Sequence, residues 1–278
     1  MSPPFVNPSL SPYAEPMKAV SKLQLRALEL RVCELTRSVD FYVRQLGFAV
    51  LRQFAGRAEL AAFPGGPALL TLVEDQRAVP ALADAAGLFH AAVLLPDRAA
   101  LSRWLRHAAE TGVQFDGFSD HGVSEAVYLA DPDGNGLEFY ADRPRSAWPE
   151  EHGQIAMFTR ALDVPSLLAA GAKTPGTAPL AGARWGHLHL RVTNLERSAK
   201  FYRPTLGLET TQDSYPGALF LAANGYHHHV GLNTWGRPRL PQSPGALGLM
   251  SATFARSNAV TRTDLTDPDG MAVRLVPA

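Results

Sequence analysis

Only one cysteine, Cys33, occurs in the 278 residues, so no internal disulfide can form, which suits a reducing compartment. An excess of charge is missing too. Lys+Arg and Asp+Glu number 26 each, the formal net charge is +0, and no basic patch stands out. That argues against nucleic acid as a partner. No apolar run approaches the length of a membrane span. The opening stretch MSPPFVNPSLSPYAEP has neither the basic start nor the apolar stretch of a secretory signal. The expected location is therefore the cytoplasm, with no membrane partner. Hydrophobic residues make up 46% and charged residues 19%, a composition that suits a soluble globular protein with a sizeable core. The length favours two domains over one.

What is present is a segment written twice. LRVCELTRSVDFYVRQLGF runs from Leu30 to Phe48, and LRVTNLERSAKFYRPTLGL from Leu190 to Leu208. Arg31/Arg191, Ser38/Ser198, Phe41/Phe201, Tyr42/Tyr202 and Gly47/Gly207 are identical between the copies. Each copy reads strand, cap, helix, turn. Leu188, Leu190 and Val192 alternate with His187, His189 and Arg191, a strand with one apolar and one polar face. The first copy sets Leu28, Leu30 and Val32 against Ala27, Glu29 and Arg31, so a histidine in one copy is an alanine in the other. The helix that follows carries Val39, Tyr42 and Leu46 on one stripe and ends at Gly47.

A second unit repeats this order. GLFHAAVLLP is a strand, Asp97 caps a helix bearing Leu101, Trp104, Leu105 and Ala108, and strands follow through EAVYLA and GLEFYAD. The turn DPDG at Asp131–Gly134 recurs at Asp267–Gly270. Four strand–helix–three-strand units thus begin near residues 24, 87, 184 and 247. The fourth is too short for its helix and one strand. The expected organisation is an irregular arm over 1–22, modules one and two over 23–143, a linker over 144–183 with a short helix near Val164–Ala170, and modules three and four over 184–278. The tract His227–His229 reads as a strand that puts His227 and His229 on one face and His228 on the other. Tyr42 and Tyr202 read as helix packing.

The phrases SVDFYVRQLG, SAKFYRPTLG and DPDGNGLE resemble the βαβββ modules of the vicinal oxygen chelate superfamily, which includes glyoxalase I, bleomycin-resistance proteins and type I extradiol dioxygenases. Four modules in one chain, with GYHHHVGLNTW, look most like the catechol 2,3-dioxygenase branch. The resemblance implies an α+β fold in which tandem modules pair into two cupped eight-stranded mixed sheets, the fourth module being truncated. Metal ligands in the family come from first and last strands of modules. Those positions here are Ala27, His90, His187 and Met250 or Ser251 on first strands, with Glu138 and Arg274 on last strands. His90, Glu138 and His187 are the residues that can ligate, a two-histidine, one-carboxylate set suited to Fe(II), with Mn(II) accepted by the same donors. His189 shares the face of His187 and competes with it for the role. The set is complete only if module two pairs with module three, leaving one and four as a blank cup. Sequential pairing would split it.

The same resemblance implies His227 as acid/base, Tyr128 as a hydrogen-bond donor to the substrate oxygen, and His121 near the substrate oxygens. Their reaction would be extradiol cleavage of a catechol, or a substituted catechol, by O2. The partners implied are then an aromatic diol and O2, with homo-oligomerisation left open. Two alternatives stand beside it: a glyoxalase-type metal lyase or isomerase, and a non-catalytic protein that binds an aromatic ligand.

Overall fold

The computed structural model describes residues 23–171, 178–237 and 240–278. The expected arm over 1–22 lies outside the described residues. Module one comprises β1 (Leu23–Val32), α1 (Leu35–Asp40), β2 (Ala49–Phe54), β3 (Arg57–Ala61) and β4 (Leu70–Glu74). Module two comprises β5 (Gly87–Leu94), α2 (Arg98–Glu110), β6 (Gly117–Asp120), β7 (Ser124–Ala130) and β8 (Gly136–Asp142). The connecting segment holds short strands β9 (Glu150–Glu151), β10 (Gln154–Ile155) and β11 (Arg160–Ala161), then helix α3 (Val164–Gly171). Module three has β12 (Arg184–Arg191), α4 (Leu195–Leu206), β13 (Glu209–Gln212), β14 (Ala218–Ala222) and β15 (Val230–Asn233). Module four keeps only β16 (Gly248–Arg256), β17 (Thr263–Thr266) and β18 (Ala272–Pro277). Among the described residues, no helix is long and apolar enough to cross a membrane.

The sheets join modules across the sequence rather than along it. One is ordered β17-β18-β16-β1-β4-β3-β2 and the other β11-β6-β7-β8-β5-β12-β15-β14-β13. Modules one and four therefore form one sheet, and modules two and three the other. The first strands meet antiparallel at both centres, β1 on β16 and β5 on β12. The expected eight strands per sheet become seven and nine. Module four has lost a strand, and β11 of the connecting segment adds itself to β6 through Arg160 opposite Asp120.

The alternation in the repeated strand sends Leu28, Leu30, Leu188 and Leu190 into a single hydrophobic core. Trp104 of α2 and Phe139 of β8 stack in it with ring centroids 3.8 Å apart. Asp97 caps α2 as its position suggests, accepting the Ala100 N–H at 2.7 Å. The helix of module one departs from expectation. After Asp40 it widens into a π-helical turn over Phe41–Gln45, with the Leu46 N–H bonded to the Phe41 carbonyl at 3.1 Å. Its counterpart α4 stays α-helical and ends at Gly207 with φ 70°.

Tyr42 and Tyr202 do more than pack. The Tyr42 hydroxyl donates to Asp131 at 3.0 Å, and the Tyr202 hydroxyl donates to Asp267 at 2.9 Å. Each aspartate also accepts backbone N–H groups of its own DPDG turn, whose glycines, Gly134 and Gly270, take φ 83° and 96°. The two repeated phrases thus bind each other, module one to two and module three to four, between the two sheets. A buried hydrogen bond to a carboxylate is worth roughly 1.5–3 kcal/mol. Tyr42→Phe and Tyr202→Phe should each lower stability by about that amount, read as a lower urea midpoint with the slope of the transition unchanged.

Candidate metal centre and active-site cavity

The strand registers build the site. Tyr128 of β7 lies opposite Glu138 of β8, Glu138 opposite Ala92 of β5, and Ala92 opposite His187 of β12. One row further along, His90 lies opposite His189. A methyl group at Ala92 leaves the space between Glu138 and His187 open. His90 Nε2 is 2.9 Å and His187 Nε2 3.2 Å from Glu138 Oε2, and one ligand atom from each residue lies within 4.8 Å of the others. Exposure is 6% at His90, 2% at Glu138 and 1% at His187.

These residues fit a metal ion. His90 Nε2 is buried and, although 2.9 Å from Glu138 Oε2, does not meet hydrogen-bond geometry, which in a protein interior calls for an explanation. Bonds of about 2.1 Å to an octahedral ion place neighbouring donors about 3.0 Å apart, and the two His–Glu separations match that. Burial holds the His187 imidazole down at about 4 against the pull of Glu138, so the ring is neutral at physiological pH and free to ligate. Burial works to raise the Glu138 carboxyl, yet the facing His187 and His90 rings keep it well below the usual carboxylate range. His189 lies beside the trio, not in it. Its ring covers Gly231, where a Cβ would come within 2.9 Å of the imidazole. Gly186 has a similar reason: a Cβ there would collide with the hydroxyl of Tyr140, whose ring packs on His187 at 4.8 Å.

The same register in the other sheet carries different chemistry. Asp264, Arg274, Thr253 and Ala27 stand where Tyr128, Glu138, Ala92 and His187 stand, and Ser251 pairs with Glu29 as His90 pairs with His189. Glu29 accepts from Ser251 at 2.7 Å and Arg57 at 2.7 Å, and is also paired with Arg274. Where one sheet has the His–Glu–His set, the other has an internal ion-pair cluster. Burial opposes ionisation of Glu29, but hydrogen bonds from Ser251, Arg57 and Arg274 bring it down to about 2 from an ordinary 4.5. The unfolded chain takes up this proton first, so the stabilisation is complete above pH 4.5 and is lost as pH falls toward about 2. The stability gap between the protein and Glu29→Gln, followed by chemical denaturation, should be constant above pH 5 and close only in that acidic window.

A cavity of about 530 Å³ opens against the trio and is lined in part by His90, Glu138, Tyr128, His121 and His228. His121 Nδ1 lies 2.8 Å from the Phe158 carbonyl, which can only accept, so that nitrogen carries the proton. His121 Nε2 therefore accepts from the Tyr128 hydroxyl at 2.7 Å. Burial and the nearby Glu138 carboxylate keep the Tyr128 phenol protonated.

The histidine tract is where the strand reading fails. Left-handed Asn224 (φ 60°) and Gly225 (φ 68°) turn the chain, and His227–His229 form a bend before β15 begins at Val230. His227 is fully buried and points away from the cavity, with Nε2 on Asp142 at 2.9 Å and Nδ1 on His228 Nδ1 at 2.7 Å. His228 faces the cavity, its ring 4.0 Å from that of His187. A carboxylate accepts only, so His227 donates from Nε2 and accepts at Nδ1 from His228. Neutral His228 then keeps an unprotonated Nε2. The tract's third member, His229, accepts the Ala223 N–H at 3.3 Å.

Two further groups of wall residues escaped the sequence. Met157, Phe158 and Thr159 come from the segment read as a linker, drawn in by the pairing of β11 with β6. Phe89, Tyr215 and Phe220 carry no motif, Trp235 closes the phrase GYHHHVGLNTW without a role read from it, and the four meet only through tertiary packing.

Two sheets of βαβββ modules, one of them carrying a buried His–Glu–His set, define a class of protein with a candidate metal site. The model of the Glyoxalase/Bleomycin resistance protein/Dioxygenase superfamily matches residues 24–139 and 184–254, and the chain belongs to that family. A Bacillus subtilis protein named catechol-2,3-dioxygenase is 41% identical over 235 residues, covering 82% of this chain and 79% of the relative. Among solved structures, glyoxalase I from Zea mays is 18% identical with a TM-score of 0.55, covering 92% of this chain and 93% of that one. The cppA protein of Streptococcus pneumoniae is 10% identical with a TM-score of 0.54, covering 92% and 99%. The two structures share the fold.

Proposed function

We propose that the protein is a dioxygenase that opens the ring of a catechol beside its diol, using Fe(II), or Mn(II) on the same donors, held by His90, Glu138 and His187. The supporting observation is the convergence of these three residues on one point, with His90 and Glu138 facing a cavity whose wall also presents Tyr128, His121 and His228. The name of the Bacillus subtilis relative supports the same reaction class. When bound, the metal would supply Lewis acidity toward a diol and activation of O2. His90 and Glu138 line the cavity, so substrate would approach the trio from that side.

His228 Nε2 stands ready to take a proton from a catechol hydroxyl and to return it later. His227 and Asp142 position it by fixing its tautomer. Tyr128, kept protonated, has one O–H, which His121 accepts in this arrangement; on turning from His121 to a substrate oxygen it would supply a hydrogen bond where charge changes during the reaction. The glyoxalase-type alternative asks for a second acidic ligand, and the trio offers one carboxylate. Cleavage under ¹⁸O₂ followed by mass spectrometry tests the reading: both labelled atoms should appear in a ring-opened product. Turnover without incorporated label would rule it out.

A further inference from the structure

Next to the metal trio the cavity wall becomes a box of aromatic rings. Phe89 lies 5.2 Å from His189 and 5.5 Å from Trp235, centroid to centroid, and His189 lies 5.5 Å from Trp235. Phe220 closes the far side, 5.8 Å from His189, and Tyr215 sits 6.0 Å from both Phe220 and Trp235. The box adjoins the trio directly, since the His189 ring is 4.9 Å from that of His90. Across the cavity Val123, Leu129 and Met157 add apolar surface.

Two observations limit what can fill this space. The first is size. A cavity of about 150 Å³ already holds benzene, and this one is about 530 Å³. A bare catechol seated at the trio would leave most of it empty. The second is charge. None of the described lining residues is Lys or Arg, and the acidic side chain beyond Glu138 is Asp116. The guanidinium of Arg160 stands 4.2 Å over the Phe158 ring but does not line the cavity. A carboxylate on the substrate would enter without a counter-charge, which is costly. Phe89 is 38% exposed on a strand that is otherwise mostly buried, an exposure explained if a ligand covers it.

We propose that the box of Phe89, His189, Tyr215, Phe220 and Trp235 is a second subsite that holds an uncharged aryl substituent of the catechol. The preferred substrates are then aryl-substituted diols, and carboxylated catechols are excluded. The inference rests on the ring-cleavage reading above for the diol end, while the subsite can be tested by binding alone. Aromatic side chains grip a second ring through offset and edge contacts beyond simple area burial. Well-formed apolar pockets of this volume are the usual seats of such ligands.

The experiment compares catechol, 3-phenylcatechol and 3,4-dihydroxybenzoate on the Fe(II)-loaded protein. It records anaerobic binding by quenching of tryptophan emission, then O2 uptake. The phenyl compound should bind at least tenfold more tightly than catechol and show a kcat/KM at least tenfold higher, with the carboxylated compound at least tenfold below catechol. In Trp235→Ala and Phe89→Ala the ratio of phenylcatechol to catechol should fall toward one. Equal or preferred use of 3,4-dihydroxybenzoate would overturn the subsite, as would catechol turnover with phenylcatechol excluded; the reaction would stand in either case. Tight phenylcatechol binding that is lost in Trp235→Ala, without O2 uptake on any compound, would keep the subsite and remove the reaction.

Discussion

Glu138→Ala is expected to abolish turnover, with a loss of at least about 10³-fold in kcat, and to remove stoichiometric metal binding. Glu138 is the hub of the trio, the carboxylate that both histidines approach at 2.9 and 3.2 Å. Without it two neutral imidazoles remain, and neither charge balance nor a third donor is left for a divalent ion. The fold should survive, because Glu138 faces His90, His187 and the cavity rather than the apolar face of β8, where Leu137 and Phe139 join the core. Metal analysis, a melting curve and O2 uptake on the same preparation separate these effects. A protein that merely sequesters an aromatic compound would keep its ligand affinity in this variant. Retained metal stoichiometry in Glu138→Ala would remove the trio from the account.

The second large effect concerns which histidine exchanges protons. His228→Ala should lower kcat by about 10²–10⁴-fold while metal content stays near that of the parent. His227→Ala should cost less, on the order of tenfold, because it disturbs the tautomer of His228 and leaves the ring in place. Asp142→Asn should resemble His227→Ala, since the amide can still contact Nε2 but no longer requires a proton there. The contrast comes from the bend at Asn224–Gly225, which turns His228 into the cavity and His227 toward Asp142. If His227→Ala proved the more damaging, the simple alternation of a strand would be the better description of the tract.

Much of this was legible in the chain itself. The repeat around Phe41–Tyr42 and Phe201–Tyr202, with the two DPDG turns, marks four modules whose strands begin within a residue of the expected starts. The contrast of His187 with Ala27 separates the sheet with the His–Glu–His set from the one without it. The requirement that ligands converge anticipates the pairing of module two with module three, as the strand order bears out. His187 rather than His189 then approaches Glu138 because of register across β5, a relation no single strand can reveal.

What escaped the sequence has physical reasons. Period-two reasoning holds inside a ladder, and His227–His229 lie just before one. The role of the Tyr42 and Tyr202 hydroxyls depends on turns some ninety and sixty-five residues away, Asp131 and Asp267, a distance no local pattern spans. The segment over 144–183 looked like a connector because its strands are two residues long and draw their order from β6. The aromatic box gathers Phe89, His189, Tyr215, Phe220 and Trp235 from four separate stretches, so only the folded chain brings it together.

The most direct test of the central claim is anaerobic loading of the purified protein with Fe(II), followed by simultaneous recording of O2 consumption and product formation on a catechol. The account predicts one Fe(II) per chain, one O2 consumed per catechol, and a ring-opened semialdehyde formed by cleavage beside the diol. Protein that binds one Fe(II) per chain yet consumes no O2 with either bare or aryl-substituted catechols, or that cleaves between the two hydroxyl-bearing carbons, would contradict it.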